Sequence, residues 1–282
     1  MISLTVTLLF YLVVISSVSL AEEIDEDIQI VSQSQKGSLR GRNNRLPTMK
    51  DLGSIAGTDK VLHHGYERFY PFFLERLRRK NIKMLEIGYL GGSSFKMWCE
   101  YFPRGQVFVM DKDGIHDDYP KRVKDAFFVG DQGNENDLAK MLSEKNIAGD
   151  LDFIIDDGSH HPEHQRVSLK YLFETALKPG GIYIIEDTEM NYWVKGDTYG
   201  KTTAFGKDHP NSLINELKQL ADSVNREFLL DGRNNSRLGK YIDDWVSGIF
   251  FGHNCVVIVK MTTDEKTHYS RTYRHIDKIT PN

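Results

Sequence analysis

The chain has 282 residues, and its 40% hydrophobic and 27% charged content is that of an ordinary globular protein. Its formal net charge is −4, and its basic residues are scattered along the chain, so the composition argues against nucleic acid as a partner. Two cysteines, Cys99 and Cys255, are too few for a disulfide framework, and we expect two buried thiols.

The N-terminal segment differs in kind from the rest, because Ile2 to Ala21 carries no charged side chain. Small residues, Ser19 and Ala21, then precede an acidic stretch, which predicts a signal peptide over residues 1–21. The stretch is also about long enough to span a bilayer, so an uncleaved signal anchor is the alternative. Either interpretation places the remainder in the secretory pathway, luminal or secreted, with no other membrane contact expected.

Residues 22–46 are polar with little periodic apolar content, which predicts a disordered stem before a folded domain over residues 47–282. The triplet Asn234-Asn235-Ser236 is a glycosylation sequon. Because such triplets also arise by chance, it supports the luminal interpretation only weakly.

Short apolar runs alternate with amphipathic stretches through the folded region. The predicted strands are 82–87, 106–110, 126–129, 151–155 and 181–185, and the predicted helices are 93–101, 135–145, 162–177 and 212–229. This alternation predicts an α/β fold with a mostly parallel sheet covered on both faces. Two last apolar runs, 245–251 and 255–260, are separated by three residues, a connection that only antiparallel neighbours can use. We therefore expect the sheet to end in a hairpin.

A glycine-containing loop follows the first predicted strand, where ligands of open α/β sheets bind. Acids also end the first three strands, at Glu86, Asp111 and near Asp131. This pattern favours a cofactor site over the alternative of a tight turn with solvated loop acids, and the loop lacks the full glycine spacing that a pyrophosphate cofactor prefers. The candidate cofactor-binding residues are Glu86, Gly88, Gly92, Ser94, Asp111, Asp131, Gln132 and Asp156.

Four further carboxylates are expected at the same edge of the sheet. Asp156 and Asp157 end the fourth strand, and Glu186 and Asp187 end the fifth. Like charges this close repel unless a cation or protons neutralise them, and an all-oxygen set suits a hard metal such as magnesium. The alternative is that these acids cap the next helix and begin a solvated loop.

His160 follows Asp157 by three residues, and an imidazole at that distance is suited to take a proton from a metal-bound hydroxyl. A second interpretation pairs His160 with His164 as zinc ligands. We rank it low, because neither a cysteine nor a third histidine with suitable spacing accompanies them.

Taken as a set, these motifs resemble the metal-dependent sugar O-methyltransferases of macrolide and anthracycline pathways, the mycinamicin type, and more loosely the catechol-type O-methyltransferases. The resemblance spans about residues 52–260. Its motifs are Gly57-Thr58-Asp59-Lys60, His64-Gly65-Tyr66, Leu85-Glu86-Ile87-Gly88, Gly130-Asp131-Gln132, Asp156-Asp157-Gly158-Ser159-His160, Lys178-Pro179-Gly180-Gly181, Glu186-Asp187 and Tyr192-Trp193. It implies the Rossmann-like fold of class I S-adenosylmethionine-dependent methyltransferases, with a mostly parallel seven-stranded sheet and an antiparallel C-terminal hairpin.

The resemblance also implies roles for individual residues. Asp111 would contact the ribose of S-adenosylmethionine, and His160 would be the general base. Magnesium, or another divalent cation, would be held by Asp157, Glu186 and Asp187, so that Asp157 and His160 form the catalytic pair.

The implied acceptor is a small-molecule or glycan hydroxyl on a sugar or glycoside, and the predicted luminal location favours a glycan. Residues 188–210, with Tyr192, Trp193 and Tyr199, are long for a loop and are predicted to be an acceptor-binding lid. Two alternative functions stay open, namely methylation of a secreted catechol or polyketide and an inactive binding protein on the same fold. A homo-oligomeric state also stays open.

Overall fold

The structure is a computed structural model that describes residues 46–116, 119–193, 197–198, 201–202, 205–207, 209–225 and 236–268. The predicted signal peptide lies outside the described residues, and so does the predicted stem except for its last residue. Asn234, Asn235 and Tyr199 also lie outside them. Across the described ranges, no helix combines the length and the apolar character needed to cross a membrane.

Nine strands are described, and seven of them form one sheet. They are β1 (Lys83–Ile87), β2 (Gln106–Asp111), β3 (Phe127–Val129), β4 (Leu151–Asp156), β5 (Leu177–Glu186), β6 (Asp197–Thr198), β7 (Lys201–Thr202), β8 (Val246–Gly252) and β9 (Cys255–Lys260). The sheet order is β3-β2-β1-β4-β5-β9-β8, and β6 pairs with β7 separately. Strands β1 to β5 pair in parallel, whereas β9 runs antiparallel to both β5 and β8. The predicted parallel sheet with a final hairpin is confirmed.

The start of β5 differs from the prediction. The sequence around Gly180 is typical of a helix stop, so we expected the strand to begin at residue 181, but it begins at Leu177. The pairing with β4 shifts register between Leu151 and Phe153, and Gly180 lies in the left-handed region at φ 77°. A glycine there lets the chain bulge and continue as a strand.

The helices cover both faces of the sheet. They are α1 (Met49–Ala56), α2 (Asp59–Leu62), α3 (Tyr70–Leu74), α4 (Ser93–Tyr101), α5 (Lys121–Ala126), α6 (Glu135–Lys145), α7 (Pro162–Thr175), α8 (Leu213–Val224), α9 (Lys240–Trp245) and α10 (Thr263–His268). Single 3₁₀ turns occur at Tyr66–Arg68, Glu75–Leu77 and Thr188–Asn191. Helices α4 and α6 have their predicted bounds.

Two hydrophobic cores lie on the two faces. One buries Leu138 of α6, Leu169 of α7 and Leu217 of α8 against the sheet. The other core packs residues 46–77, which we call the N-terminal layer, against the second face of the sheet, with Tyr70 of this layer stacked on Trp98 of α4. This layer was not predicted as helices, yet it covers β1, β4 and β5 and reaches the edge of the sheet where those strands end.

Candidate active site

The carboxyl ends of β1, β4 and β5 meet at one edge of the sheet, since these strands are neighbours and parallel. Asp156 pairs with Ile87 and with Ile185, and the Asp157 amide donates to the Ile87 carbonyl at 2.9 Å. This register brings the acids that follow each strand into one small region, as the sequence predicts.

Three side chains at this edge form a cluster suited to a metal ion. Asp157, His160 and Asp187 each place one ligand atom within 4.8 Å of the others. The His160 Nε2 to Asp187 Oδ2 distance is 3.8 Å, and His160 Nδ1 is buried with no hydrogen-bond partner among the described residues. His160 and Asp187 also have positive φ values of 61° and 50°. Non-glycine residues are held in that region at a cost of about 1 to 3 kcal/mol each, mostly at functional sites.

Glu186, the third predicted metal ligand, has a different environment. Its Oε2 accepts a hydrogen bond from the Lys60 ammonium at 2.6 Å, and its Oε1 accepts one from the Tyr70 hydroxyl at 2.5 Å. Lys60 also donates to Asp157 Oδ2 at 2.6 Å. Metal ligation by Glu186 therefore stays a prediction, whereas the ion pair with Lys60 is an observed feature that the sequence analysis missed.

Burial and mutual charge set the ionisation of this cluster. Burial raises the pKa of Glu186 well above its usual range, and it raises that of Asp187, with Asp157 adding repulsion. The pKa of buried Glu86 rises to about 6. Burial opposes the charge on Lys60, but the attraction of three carboxylates outweighs it and raises its pKa well above the ordinary value. The ammonium is therefore charged at neutral pH.

Asp187 is surrounded by groups from distant parts of the chain. Its Oδ1 accepts from the Tyr66 hydroxyl at 2.7 Å and from Asn254 Nδ2 at 3.0 Å, and His64 Nδ1 lies 3.5 Å from the same oxygen. The Tyr66 ring stacks between His64 and Tyr70, at centroid distances of 5.1 and 5.2 Å. Asp187 Oδ2 faces His160, so the carboxylate lies between two imidazoles.

The predicted cofactor loop lies beside this cluster. Glu86 is fully buried; its Oε1 accepts from Trp98 Nε1 at 3.1 Å, while its Oε2 has no partner within the described part of the chain. Ser94 and Trp98 act to lower the pKa of Glu86, an effect that burial outweighs. Gly88 has φ 96°, and a Cβ there would collide with the Asp157 carbonyl, so only glycine fits.

Gly92 in the loop and Asp111 at the end of β2 support the same turn. Gly92, at φ 73°, precedes α4 against the Tyr89 ring. Asp111 accepts from the backbone amides of Tyr89 at 2.8 Å and Asp113 at 3.0 Å, which fixes its carboxylate beside the loop. A buried acceptor at Glu86 that lacks a donor, next to an oriented Asp111, fits a ligand that carries an ammonium group and hydroxyls.

Asp156 makes its contacts inside the protein, and its predicted cofactor role stays a prediction. Its carboxylate is 0% exposed and accepts from Gln132 Nε2 at 2.8 Å, from the Tyr183 hydroxyl at 3.2 Å and from the Ser168 hydroxyl. Because the bonds of Asp156 are made inside the protein, it ties α7 to the sheet. Gln132 Oε1 also accepts from the Ser159 amide at 2.6 Å, so its cofactor contact stays a prediction.

Asp131 and His164 complete the placement of the predicted residues. Asp131 is exposed, and its Oδ1 accepts from the Gly133 amide at 2.8 Å. His164 Nδ1 lies 3.0 Å from the Ser159 hydroxyl and outside the group that His160 joins. The described residues therefore give no support to a zinc site formed by the two histidines.

A pocket of about 480 Å³ opens beside Asp187, between residues 188–193 and the β8–β9 turn. Tyr192 and Phe251, with exposed fractions of 44% and 39%, lie in its wall together with Trp193 and Asn254. Exposed aromatic faces next to a polar cluster suit a ligand with both apolar and hydroxyl surfaces. Part of the predicted lid lies outside the described residues, so the lid stays a prediction.

Comparison with known proteins agrees with this geometry. MycE, a methyltransferase of the mycinamycin biosynthetic pathway solved in complex with Mg, SAH and mycinamycin VI, matches with a TM-score of 0.67 and 28% identity over 86% of this chain and 61% of its own. Demethylmacrocin O-methyltransferase of Streptomyces fradiae is 30% identical over 250 residues, and mycinamicin VI 2''-O-methyltransferase of Micromonospora griseorubida is 29% identical over 255. Over most of its length the chain is similar to these O-methyltransferases.

This homology confirms the predicted class I methyltransferase fold. The cofactor prediction is confirmed at the level of these homologues, since MycE was solved with Mg and SAH. The two curated matches each cover 86% of this chain and 60% of the relative, so the chain spans about 60% of their length. No family model matches the chain.

Proposed function

We propose that this chain transfers a methyl group from S-adenosylmethionine to a sugar hydroxyl of a glycoside, with the help of a divalent cation. The observation that carries the proposal is the cluster of Asp157, His160 and Asp187. Lys60 links this cluster to the cofactor loop at Glu86, and Asn254 links it to the aromatic-walled pocket. Cofactor, cation and acceptor would therefore meet within one edge of the sheet.

The proposed reaction is an in-line displacement in which the residues of the cluster have separate roles. A bound divalent cation would supply Lewis acidity that lowers the pKa of the acceptor hydroxyl. Asp157 and Asp187 would hold that cation, and His160 Nε2 would take the hydroxyl proton. The acceptor oxygen then forms a bond to the methyl carbon as the carbon–sulfur bond breaks, leaving S-adenosylhomocysteine. The protein mainly aligns the two reactants.

The cofactor end rests on the free oxygen of Glu86 and on Asp111. A donor group of S-adenosylmethionine would satisfy Glu86 Oε2, which has no hydrogen-bond partner among the described residues. Asp111, already oriented by two backbone amides, would accept from the ribose hydroxyls. Gly88 lets the backbone of Asp157 pack closely against the cofactor loop, because a Cβ there would collide with the Asp157 carbonyl.

The acceptor class follows from the pocket and from the relatives. Tyr192, Trp193 and Phe251 offer ring faces on which a sugar can pack. The named relatives act on mycinamicin VI and demethylmacrocin. The predicted signal peptide further leads us to propose a glycan sugar in the secretory lumen as the natural acceptor, ahead of a secreted catechol or polyketide.

Transfer of label from S-adenosylmethionine tests the function. We would incubate the purified chain with magnesium and three acceptor pools, namely macrolide glycosides, free glycans and catechols, each with and without EDTA. Cation-dependent label in a sugar is expected. Label only in catechols would favour the small-molecule alternative, and cofactor binding with no transfer to any pool would favour an inactive binding protein.

The proposed location has a separate test. In a secretory host the mature N-terminus should be Glu22, and a glycosidase should shift the protein's mobility through loss of a glycan at Asn234. An uncleaved N-terminus on a membrane-bound luminal protein would indicate the signal anchor. Recovery of the intact chain from the cytosol would contradict the luminal proposal, while leaving the methyl transfer chemistry in place.

A further inference from the structure

Lys60 is a buried cation in the middle of the strand ends. Its side chain is 2% exposed, and its ammonium lies 2.6 Å from Asp157 Oδ2, 2.6 Å from Glu186 Oε2 and 3.5 Å from Glu86 Oε1. Asp157 directly follows β4, Glu186 ends β5 and Glu86 is the penultimate residue of β1. The three strands are neighbours in the sheet. One side chain of the N-terminal layer thus joins the cofactor end of the site to the metal end.

Two tyrosines of the same layer act on the adjoining oxygens. Tyr70 donates to Glu186 Oε1 and Tyr66 donates to Asp187 Oδ1, and their rings stack with an interplanar angle of 16°. The N-terminal layer therefore supplies a donor to each acid next to Asp157. With these donors in place, the rotation of each carboxylate is restricted.

We propose that Lys60 is a positioning residue for the divalent-cation site, an inference that rests on the proposed function. By holding Oδ2 of Asp157, it fixes the carboxylate plane and leaves Oδ1 to face the cation. Partners that orient metal ligands in this way commonly contribute about 10- to 100-fold in metal affinity.

A purely electrostatic role for Lys60 predicts the opposite effect. An ammonium held against Asp157 repels a second cation nearby, so removing it would tighten metal binding if charge were all that mattered. The sign of the change in metal affinity therefore separates positioning from simple charge compensation.

The experiment is a calorimetric titration of the full chain with magnesium chloride, without cofactor or acceptor. We expect Lys60→Met to weaken magnesium binding by about 10- to 100-fold. Lys60→Arg should recover only part of the loss, because a planar guanidinium cannot place one nitrogen equally close to two carboxylates as the ammonium does. Unchanged or tighter binding in Lys60→Met, or full recovery in Lys60→Arg, would overturn the positioning role.

Two further variants keep the test sharp. Lys260→Met removes another buried lysine, at the opposite edge of the sheet, and should leave magnesium affinity unchanged. If Lys60→Met does not fold, as shown by its thermal melt, Tyr70→Phe removes only the hydrogen bond to Glu186 and should weaken magnesium binding by a smaller factor. No loss in a folded Tyr70→Phe would then contradict the inference.

The inference and the proposed function can fail separately. If the wild-type chain binds magnesium and transfers label, but Lys60→Met leaves its magnesium affinity unchanged, only the inference about Lys60 is contradicted. If the wild-type chain binds neither magnesium nor S-adenosylmethionine, both the proposed function and the inference are contradicted. In the active case Lys60→Met should also lower kcat at saturating magnesium while the KM for S-adenosylmethionine changes little, a split that general destabilisation would not produce.

Discussion

Two lysines are almost completely buried within the part of the chain that the structure describes, and the groups around their ammonium ions differ in kind. Lys60, 1% exposed, lies among three carboxylates at the edge of the sheet where β1, β4 and β5 end. Lys260, 2% exposed, lies at the far end of β9 and donates to the carbonyls of Phe173 at 2.6 Å and Leu177 at 2.8 Å. Rings of Phe173, Tyr241 and Trp245 surround its ammonium at 5.0 to 5.6 Å.

The difference shows in the pKa of each amine. Three carboxylates outweigh burial and raise the pKa of Lys60, whereas burial lowers the pKa of Lys260 to about 8 because the charge of Glu174 offsets it only in part. Lys260 instead donates to the Phe173 carbonyl in the last turn of α7, where carbonyls lack helical partners, and to the Leu177 carbonyl at the start of β5. Lys60 therefore orients acids of the candidate active site, whereas Lys260 caps the C-terminal end of a helix.

Removal of the divalent cation should cause the largest loss of turnover. If turnover did not fall, the contrast between the two lysines would lose its functional meaning. EDTA should abolish turnover and added magnesium should restore it, because without a cation the acceptor hydroxyl keeps a pKa too high for attack. Asp187→Asn should mimic chelation, with excess magnesium giving at most partial rescue. The measurement is label transfer over a magnesium titration. Full activity in EDTA would show that the acids around Lys60 do not act by binding a cation.

His160→Ala should have the next largest effect and separates proton transfer from metal binding. Loss of a positioned base commonly lowers kcat by about 100- to 10,000-fold. Magnesium affinity, measured by calorimetry, should remain nearly unchanged, and the pH–rate profile should lose its ascending limb. A parallel loss of magnesium affinity would instead make His160 a ligand, which the cluster geometry with Asp157 and Asp187 also allows.

A smaller effect, on cofactor affinity, is expected from a change at Asp111. This carboxylate is stabilised by backbone amides, unlike the two lysines. Its oxygens accept from backbone amides, with neither lysine nearby. Asp111→Ala should weaken S-adenosylmethionine binding by about 1 to 3 kcal/mol, the scale for losing a charge-assisted hydrogen-bond partner. Calorimetry with the cofactor measures this, and the thermal melt serves as the folding control. Unchanged affinity would show that the ribose is held elsewhere.

The acids of the site could be predicted from the sequence because each directly ends or follows an apolar strand. Glu86, Asp157, Glu186 and Asp187 come together through the register of a parallel sheet, which the alternation of strand and helix already implies. The internal hydrogen bonds of Asp156 could not be predicted from the sequence, although it precedes Asp157 directly. Successive residues of a strand point to opposite faces, and its side chain is buried against α7.

Lys60 could not be assigned a role from the sequence. It lies 97 residues from Asp157 and 126 from Glu186, in a helix of four residues that is too short for any periodicity to show. The motif Gly57-Thr58-Asp59-Lys60 contributed to the family resemblance but carried no role. Long-range pairing of this kind depends on how the N-terminal layer packs on the sheet, and only the structure shows that.

The smallest expected effect concerns the stability of the Lys260 region and its dependence on pH. The pKa of Lys260 is about 8 in the folded chain, below its ordinary value of 10.5. Between these two values the unfolded chain binds the proton and the folded chain does not, so the free energy of unfolding rises with pH. Relative to Lys260→Met, which has no amine to titrate, the wild type should gain about 1 kcal/mol between about pH 7.5 and about pH 9. Urea unfolding of both proteins at the two pH values measures this difference. Parallel changes would mean that Lys260 keeps its charge as Lys60 does, and that carbonyls and aromatic rings can stabilise a buried ammonium as well as carboxylates can.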